Sequence, residues 1–534
     1  MRQFLLYLFL IIGIGAIGQT TINVTSAGAV GDNSTDNTLF IQQAINTVSS
    51  SGGGEVIFDG GTFLSSTLNI KSNVTLRITT GTTLKALPNN SDFPDIPYSE
   101  RSWSDTYTQK SLLFAEAAHN IRITGGGTID GNGLQTGYLS VSKNYRPFGL
   151  RLHLVDSLVI DSINLRQAPQ WMGHITHCSH VYINHITVYN QGFGSNDGID
   201  IDGCTDVLVE NSQFDTNDDP LPVKTHGFNI CRDVLIRNCT FATFERAVKV
   251  GNEAMGPMVN IRFKDITVNA SSFNLPFTPQ NVIYCAIADG GSMDSIYFEN
   301  IQINTPSEFA IFLRLCDRGN HYDTFPHPPV QFLRNVWFKN IKCRTTKTIP
   351  CSVTGIPGYR PENIHFENVE ITVPGNGPAV TGNVPELEQT RPEGDQWGDS
   401  LPAYGLYVRH IKNLYLDNFC VIKQNADVRP LYYFEDTLAV EANECTGFVS
   451  SVSEPQAQTF SLYPNPAGNT VYVNFTEPVS LLSLYNLSGQ LLVNLPVNNK
   501  STAQLDVANL QPGIYLLKAN SQTGTQITRL VVSH

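Results

Sequence analysis

The 534-residue chain is 41% hydrophobic and only 15% charged, with 47 acidic against 34 basic side chains and a formal net charge of −13. That length accommodates a large core plus a second unit, and the apolar content excludes a disordered chain. The acidic balance excludes nonspecific nucleic-acid binding, which relies on Lys and Arg to neutralise phosphates. Sparse charge among many Asn, Ser and Thr residues suits polar turns and amide-lined surfaces better than long salt-bridged helices.

The chain opens on Met1-Arg2-Gln3 and an apolar run over residues 4–17, followed by Gly18. Fourteen apolar residues fall short of the about 20 that cross a bilayer. Residues 1–18 therefore read as a signal peptide with maturation near Gln19, and no membrane span is expected. Residues 38–45 form an amphipathic pattern suited to a short helix capping the open edge of a sheet.

From residue 181 a strand recurs with an amide or carboxylate at a fixed place: VYINHITV (181–188), VLVENSQF (207–214), VLIRNCTF (234–241) and IRFKDITV (261–268). The markers Asn184, Asn211, Asn238 and Asp265 are 27 residues apart, with later copies at Asn300, Asn340, Asn368 and Asn418. A short-strand repeat of this length cannot bury its apolar face alone, so neighbouring coils must stack. The expected fold is all-β, a right-handed parallel β-helix over residues 19–450, with the asparagines forming a structural side-chain ladder. Cys178, Cys204 and Cys231 follow the same period, and no CxxC pair marks a zinc ribbon or redox site.

The chemistry concentrates in two segments 22 residues apart: Asn196-Asp197-Gly198 and Asp218-Asp219. As neighbouring strands they place Asp197 beside Asp219, with Asp218 one residue earlier, so three carboxylates meet. Crowded carboxylates raise one another's pKa, leaving one protonated as an acid while another activates water. Calcium binding or plain Asx turns are the competing readings, and no EF-hand pattern supports the first. By alternation Asp200 and Asp202 leave the coil together, with Asp202 in a solvated pair with Lys224. Aligning Val223-Lys224 with Val248-Lys249 stacks the two lysines one coil apart. Lys224, Arg246 and Lys249 are candidate contacts to a substrate anion, with His226 as a weaker one and Glu245 as a reserve acid or base. Trp171 is suited to stacking on a sugar face or to packing, and Asn196 to orienting a carboxylate or a substrate hydroxyl. His174, His177, His180 and His185 cluster without a zinc-motif spacing. No metal or other cofactor is called for.

After a linker at 451–459, residues 460–534 change texture: FSLYPNPA (460–467), alternating strands, an NLSGQ turn (486–490) and LQPGIYL (510–516) read as a small antiparallel β-sandwich. These motifs resemble the C-terminal sorting domain of proteins exported by the type IX secretion system of Bacteroidetes. The resemblance implies a secreted or surface-attached protein whose partner is that machinery; a small carbohydrate-binding or immunoglobulin-like module is the alternative.

Residues 22–450 resemble glycoside hydrolase family 28, the polygalacturonases and rhamnogalacturonan hydrolases. The motifs that carry it are Ala27-Gly28-Ala29-Val30-Gly31-Asp32, Gly52-Gly53-Gly54, Gly127-Thr128-Ile129-Asp130-Gly131-Asn132-Gly133, Trp171, Asn196-Asp197-Gly198-Ile199-Asp200 and Asp218-Asp219. The resemblance implies inverting hydrolysis, with Asp218 as general acid and Asp197 and Asp219 activating water. Inversion calls for carboxyls about 6.5–9.5 Å apart. The family's Gly-His-Gly is absent, Arg246 and Lys249 are three apart where the family's basic pair is two apart, and His226 comes too soon to be the family histidine. An acidic plant or algal polysaccharide is the expected substrate. Dextran, α-1,3-glucan, α-galactosides and sulfated galactans stay open, as do a lyase and a noncatalytic glycan-binding surface protein. The excursions near 270–280, 315–335 and 375–400 would make a pocket and favour exo-action.

Overall fold

The computed structural model describes residues 20–448 and 460–532, apart from short segments at 98, 100–107, 193, 273–278, 320–326, 476–477, 487–490, 498–499 and 522–524. The expected signal peptide and linker, the tip of the NLSGQ turn and part of the excursions near 270–280 and 315–335 lie outside the described residues.

The stacking inferred from the repeat is what the chain does. Val181, Val207, Val234, Ile261 and Ile296 pair in register from coil to coil, all parallel. Each is at most 2% exposed. Inward residues alternate with outward ones along each strand, so one apolar core runs the length of the β-helix. Phenylalanines at one inward position stack in turn, Phe263 on Phe298 and Phe298 on Phe338, with centroids 6.0 and 5.2 Å apart. The helix Thr38–Ser50 covers the N-terminal edge with Ile41, Ala44, Ile45 and Val48 buried.

The asparagine ladder forms, and its cause is backbone geometry. Asn211, Asn238, Asp265, Asn300, Asn340, Asn368 and Asn418 all have φ between 51 and 57°. Of the residues with a side chain, Asn and Asp tolerate that left-handed region best. Asn300 donates to Asp265 at 2.7 Å, Asn340 to Asn300 at 2.8 Å and Asn368 to Asn340 at 2.8 Å. A second ladder the repeat did not disclose runs from Asn335 to Asn363 to Asn413.

The strands that carry the site form one sheet: Gly173–Thr176, Ile199–Asp202, Val223–Thr225, Arg246–Ala254, Asn281–Ile287, Phe309–Leu315, Cys351–Thr354 and Leu406–Lys423. Between Val373 and Leu406 the chain leaves the coil. This insertion seats Val384, Leu387, Trp397 and Leu401 on the outward aromatics Tyr284, Phe309, Phe312 and Tyr407 of that sheet. Cys420 and Cys445 are disulfide-bonded near the last coil, and the other eight cysteines are free and buried.

The chain divides into two compact units at Val449/Ser450. The second has its own apolar core between two antiparallel sheets of three and four strands, with Phe460, Val471, Leu484 and Leu517 buried in it. Among the described residues, no helix is long and apolar enough to cross a membrane.

Candidate active site

Asp197 stands two residues before the strand Ile199–Asp202, and Asp219 four before Val223–Thr225. The register Ile201↔Val223 preserves the offset read from the sequence. Gly198 N donates to Asp219 O at 2.9 Å, so the two backbones are joined beside the carboxylates. A Cβ at Gly198 would lie 2.0 Å from Pro220 O, which explains glycine at that place in the Asn-Asp-Gly motif. Thr216 and Thr243 hydroxyls both donate to Asp218 O at 2.6 Å and pin the turn.

Asp197, Asp218 and Asp219 each contribute an oxygen within 4.8 Å of the other two. These nearest-atom separations are tighter than the spacing of about 6.5–9.5 Å expected for inversion. Asp219 is buried, yet its pKa is lowered: Lys249 Nζ bonds its Oδ2, and Arg246 N donates to Oδ1 at 3.2 Å. Burial, then the charge of Asp219, raises Asp218. Burial, then Asp218, Asp200 and Asp219, raises Asp197 well above the usual carboxylate range. One carboxylate is thus held ionised beside two that favour the proton. The geometry supplies an acid and a base at one point on the sheet.

Glu245, Arg246 and Lys249 come to the same place from the next coil. Arg246 is paired with Glu245 at 2.7 Å and with Glu393, and its guanidinium lies 5.6 Å from the centroid of Tyr284. Burial pushes Glu245 up to about 7, with Asp218, Asp219 and Glu393 adding to the rise against Arg246. Glu393 belongs to the insertion, 147 residues along the chain from Arg246. Nothing periodic marks it in the sequence, and it was missed there. Tyr284 Oη holds the same segment by donating to Pro392 O at 2.8 Å.

Four expected substrate contacts are buried instead. Asn196 is fully buried and its amide donates to Ala168 O and Gln170 O at 3.1 and 3.2 Å, so it shapes the turn before Asp197. Trp171 is 7% exposed, stacked on Phe148 at 4.9 Å with Lys224 Nζ 4.2 Å over its ring, leaving no free face for a sugar. His226 is 1% exposed against Asp202. Lys224 is paired in register with Asp202, but its ammonium reaches Asp200 at 2.7 Å and Glu253 at 3.0 Å in a buried cluster, not a solvated pair. Nor do the two lysines stack: Val223 pairs with Val250, two residues past the expected partner, and the register shifts again before Thr225. Burial pushes Asp200 up to about 6, with Lys224 opposing it. The histidine cluster separates as well: His180 is exposed beside Asp156, while His174 goes inward to Asp202.

Residues 54–390 match the family model for glycosyl hydrolases family 28. The chain belongs to that family. Residues 461–533 match the secretion system C-terminal sorting domain, which makes this family 28 chain a secreted or cell-surface protein. A probable polygalacturonase of Vitis vinifera is 25% identical over 68% of this chain and 76% of its own length. The exopolygalacturonase of Thermotoga maritima matches at TM-score 0.56 and 20% identity over 76% of this chain and 91% of that one. The family 28 exopolygalacturonase of Yersinia enterocolitica matches at TM-score 0.59 and 17% identity over 79% of each chain. The chain is a polygalacturonase-like glycosyl hydrolase with a parallel β-helix fold.

Proposed function

We propose that this enzyme cleaves a galacturonan-like polysaccharide by an inverting route. Asp218 protonates the glycosidic oxygen, while Asp219 deprotonates the attacking water, which Asp197 helps to orient. The observation that carries this is the split in proton affinity: Lys249 keeps Asp219 ionised within a group where Asp218 and Asp197 favour the proton. Asp218 is also the most open of the three, the others being at most 6% exposed, as an acid that meets the leaving oxygen should be.

The insertion supports exo-action. It covers the sheet on the C-terminal side of the aspartates and sets Glu393 against Arg246, a wall at which a bound polymer chain would end. Two relatives in structure are named exopolygalacturonases. The sorting domain fits export by the type IX machinery.

One observation favours a second substrate. Arg246 is already held by two carboxylates and Lys249 by a third, so a uronate would compete with Glu245, Glu393 and Asp219 for them. A sugar without a free carboxylate avoids that competition. Incubation with polygalacturonan, rhamnogalacturonan, galactan, dextran, α-1,3-glucan and carrageenans, read by reducing ends and mass spectrometry, decides between them. Saturated galacturonate monomer or dimer from the first polymer supports the main reading; products only from neutral polymers replace it with the second.

A further inference from the structure

Away from the catalytic carboxylates, His174, Asp202 and His226 converge from three successive coils. His174 lies on Gly173–Thr176, Asp202 ends Ile199–Asp202, and His226 follows Val223–Thr225. His174 Nε2 is 2.9 Å and His226 Nδ1 2.7 Å from the same oxygen, Asp202 Oδ2, and each residue is at most 1% exposed. The His174 contact is aligned as a hydrogen bond. The His226 contact is not, and neither nitrogen of that buried ring makes a hydrogen bond among the described residues. Two imidazole nitrogens thus crowd one carboxylate oxygen while only one is aligned on it, which gathers three buried donor atoms at one point.

The surroundings favour positive charge. Asp200, Asp202 and Glu253 are gathered around Lys224, with Lys249 and Arg318 further off, and Lys224 bonds Asp200 and Glu253 and leaves Asp202 to the histidines. His177 stacks on His226 at 5.0 Å and 18°, fixing the ring plane that presents Nδ1.

We propose that His174 Nε2, Asp202 Oδ2 and His226 Nδ1 bind one divalent transition-metal ion, with zinc the best match to two imidazoles and a carboxylate. The three donor atoms already lie within 4.8 Å of one another, and a slight spreading gives them metal bonds of about 2.0–2.2 Å. The ion ties three coils together on the strand that begins two residues after Asp197. The site differs in kind from the Asp197, Asp218 and Asp219 group, whose donors are all oxygens and one of which is occupied by Lys249. No linear motif announces it, because the ligands come 28 and 24 residues apart from separate coils.

The test is metal analysis of the full-length chain expressed in zinc-supplemented medium and desalted, beside His174→Gln, His226→Gln and Asp218→Asn. The expected result is close to one zinc per chain in the wild type and Asp218→Asn, and less than a tenth of that in both histidine variants. X-ray absorption of the wild type should show two imidazoles in the zinc shell, a readout that stands even where a variant fails to fold. Wild-type protein with less than a tenth of an equivalent of zinc, a shell without imidazole, or full metal content in folded histidine variants overturns the proposal.

Discussion

Asp197 and Asp219 precede adjacent strands yet titrate in opposite directions, because Lys249 bonds Asp219 and acts on Asp197 only as the last of several influences. Stability follows the sign of each shift. Asp219, with its folded pKa lowered, contributes stability above its unfolded pKa of about 3.9 that disappears as pH falls through the folded value. Asp197, with its folded pKa raised, costs stability progressively as pH rises above about 4. Asp197→Asn should therefore raise the melting temperature between about pH 6 and 8, while Asp219→Asn lowers it by stranding Lys249; both should lose activity by about 100-fold or more. Differential scanning calorimetry beside kinetics checks both signs, and a fall in melting temperature for Asp197→Asn contradicts the electrostatic account. Proton NMR of the first product on an α-linked substrate tests the stereochemistry: a β-anomer confirms inversion. An α-anomer assigns a nucleophile to the group, as its close spacing would then imply. The triad was legible in the sequence because the 22-residue offset survives as register. Lys224 and His226 were misread as open to substrate because strand alternation says which side chains leave the coil, not what covers them once they do; Trp171 takes the packing role left open for it, and Asn196 shapes the turn that carries Asp197.

At the scale of elements, the ladder turns depend on a left-handed residue that also bonds its neighbours. Asn340 has φ 53°, donates to Asn300 and accepts from Asn368, both at 2.8 Å. Asn340→Ala loses both bonds and the amide side chain that makes the left-handed region tolerable to a residue with a Cβ, for a cost of about 2–3 kcal/mol. Asn340→Gly loses only the bonds and should melt between that variant and the wild type; the reverse order would mean that packing, not backbone geometry, sets the turn. The insertion between Val373 and Leu406 is the other decisive element. Replacing residues 385–400 by a short Gly-Ser link should lengthen the products from monomer or dimer to oligomers, as chromatography of the digest would show, whereas an unchanged pattern removes the wall as the cause of exo-action. The 27-residue period made the coils readable, but the insertion has no period, and its docking depends on Trp397 and Leu401 meeting aromatics of separate coils, Tyr284, Phe309, Phe312 and Tyr407.

The whole molecule consists of a β-helix that carries the chemistry and a small β unit with a separate core. The fold class was legible in the sequence at this scale because every coil repeats the same burial pattern. A chain ending at residue 449 should keep its melting temperature and kcat and lose only export, which fractionation of a Bacteroidetes host would reveal. The central claim is that Asp218 gives the proton that releases the sugar. Its most direct test is kcat of the wild type and Asp218→Asn on polygalacturonan, with thermal unfolding followed on the same samples. The account predicts a loss of about 100- to 10,000-fold with the melting temperature unchanged or raised; a folded Asp218→Asn variant that keeps wild-type kcat would contradict it.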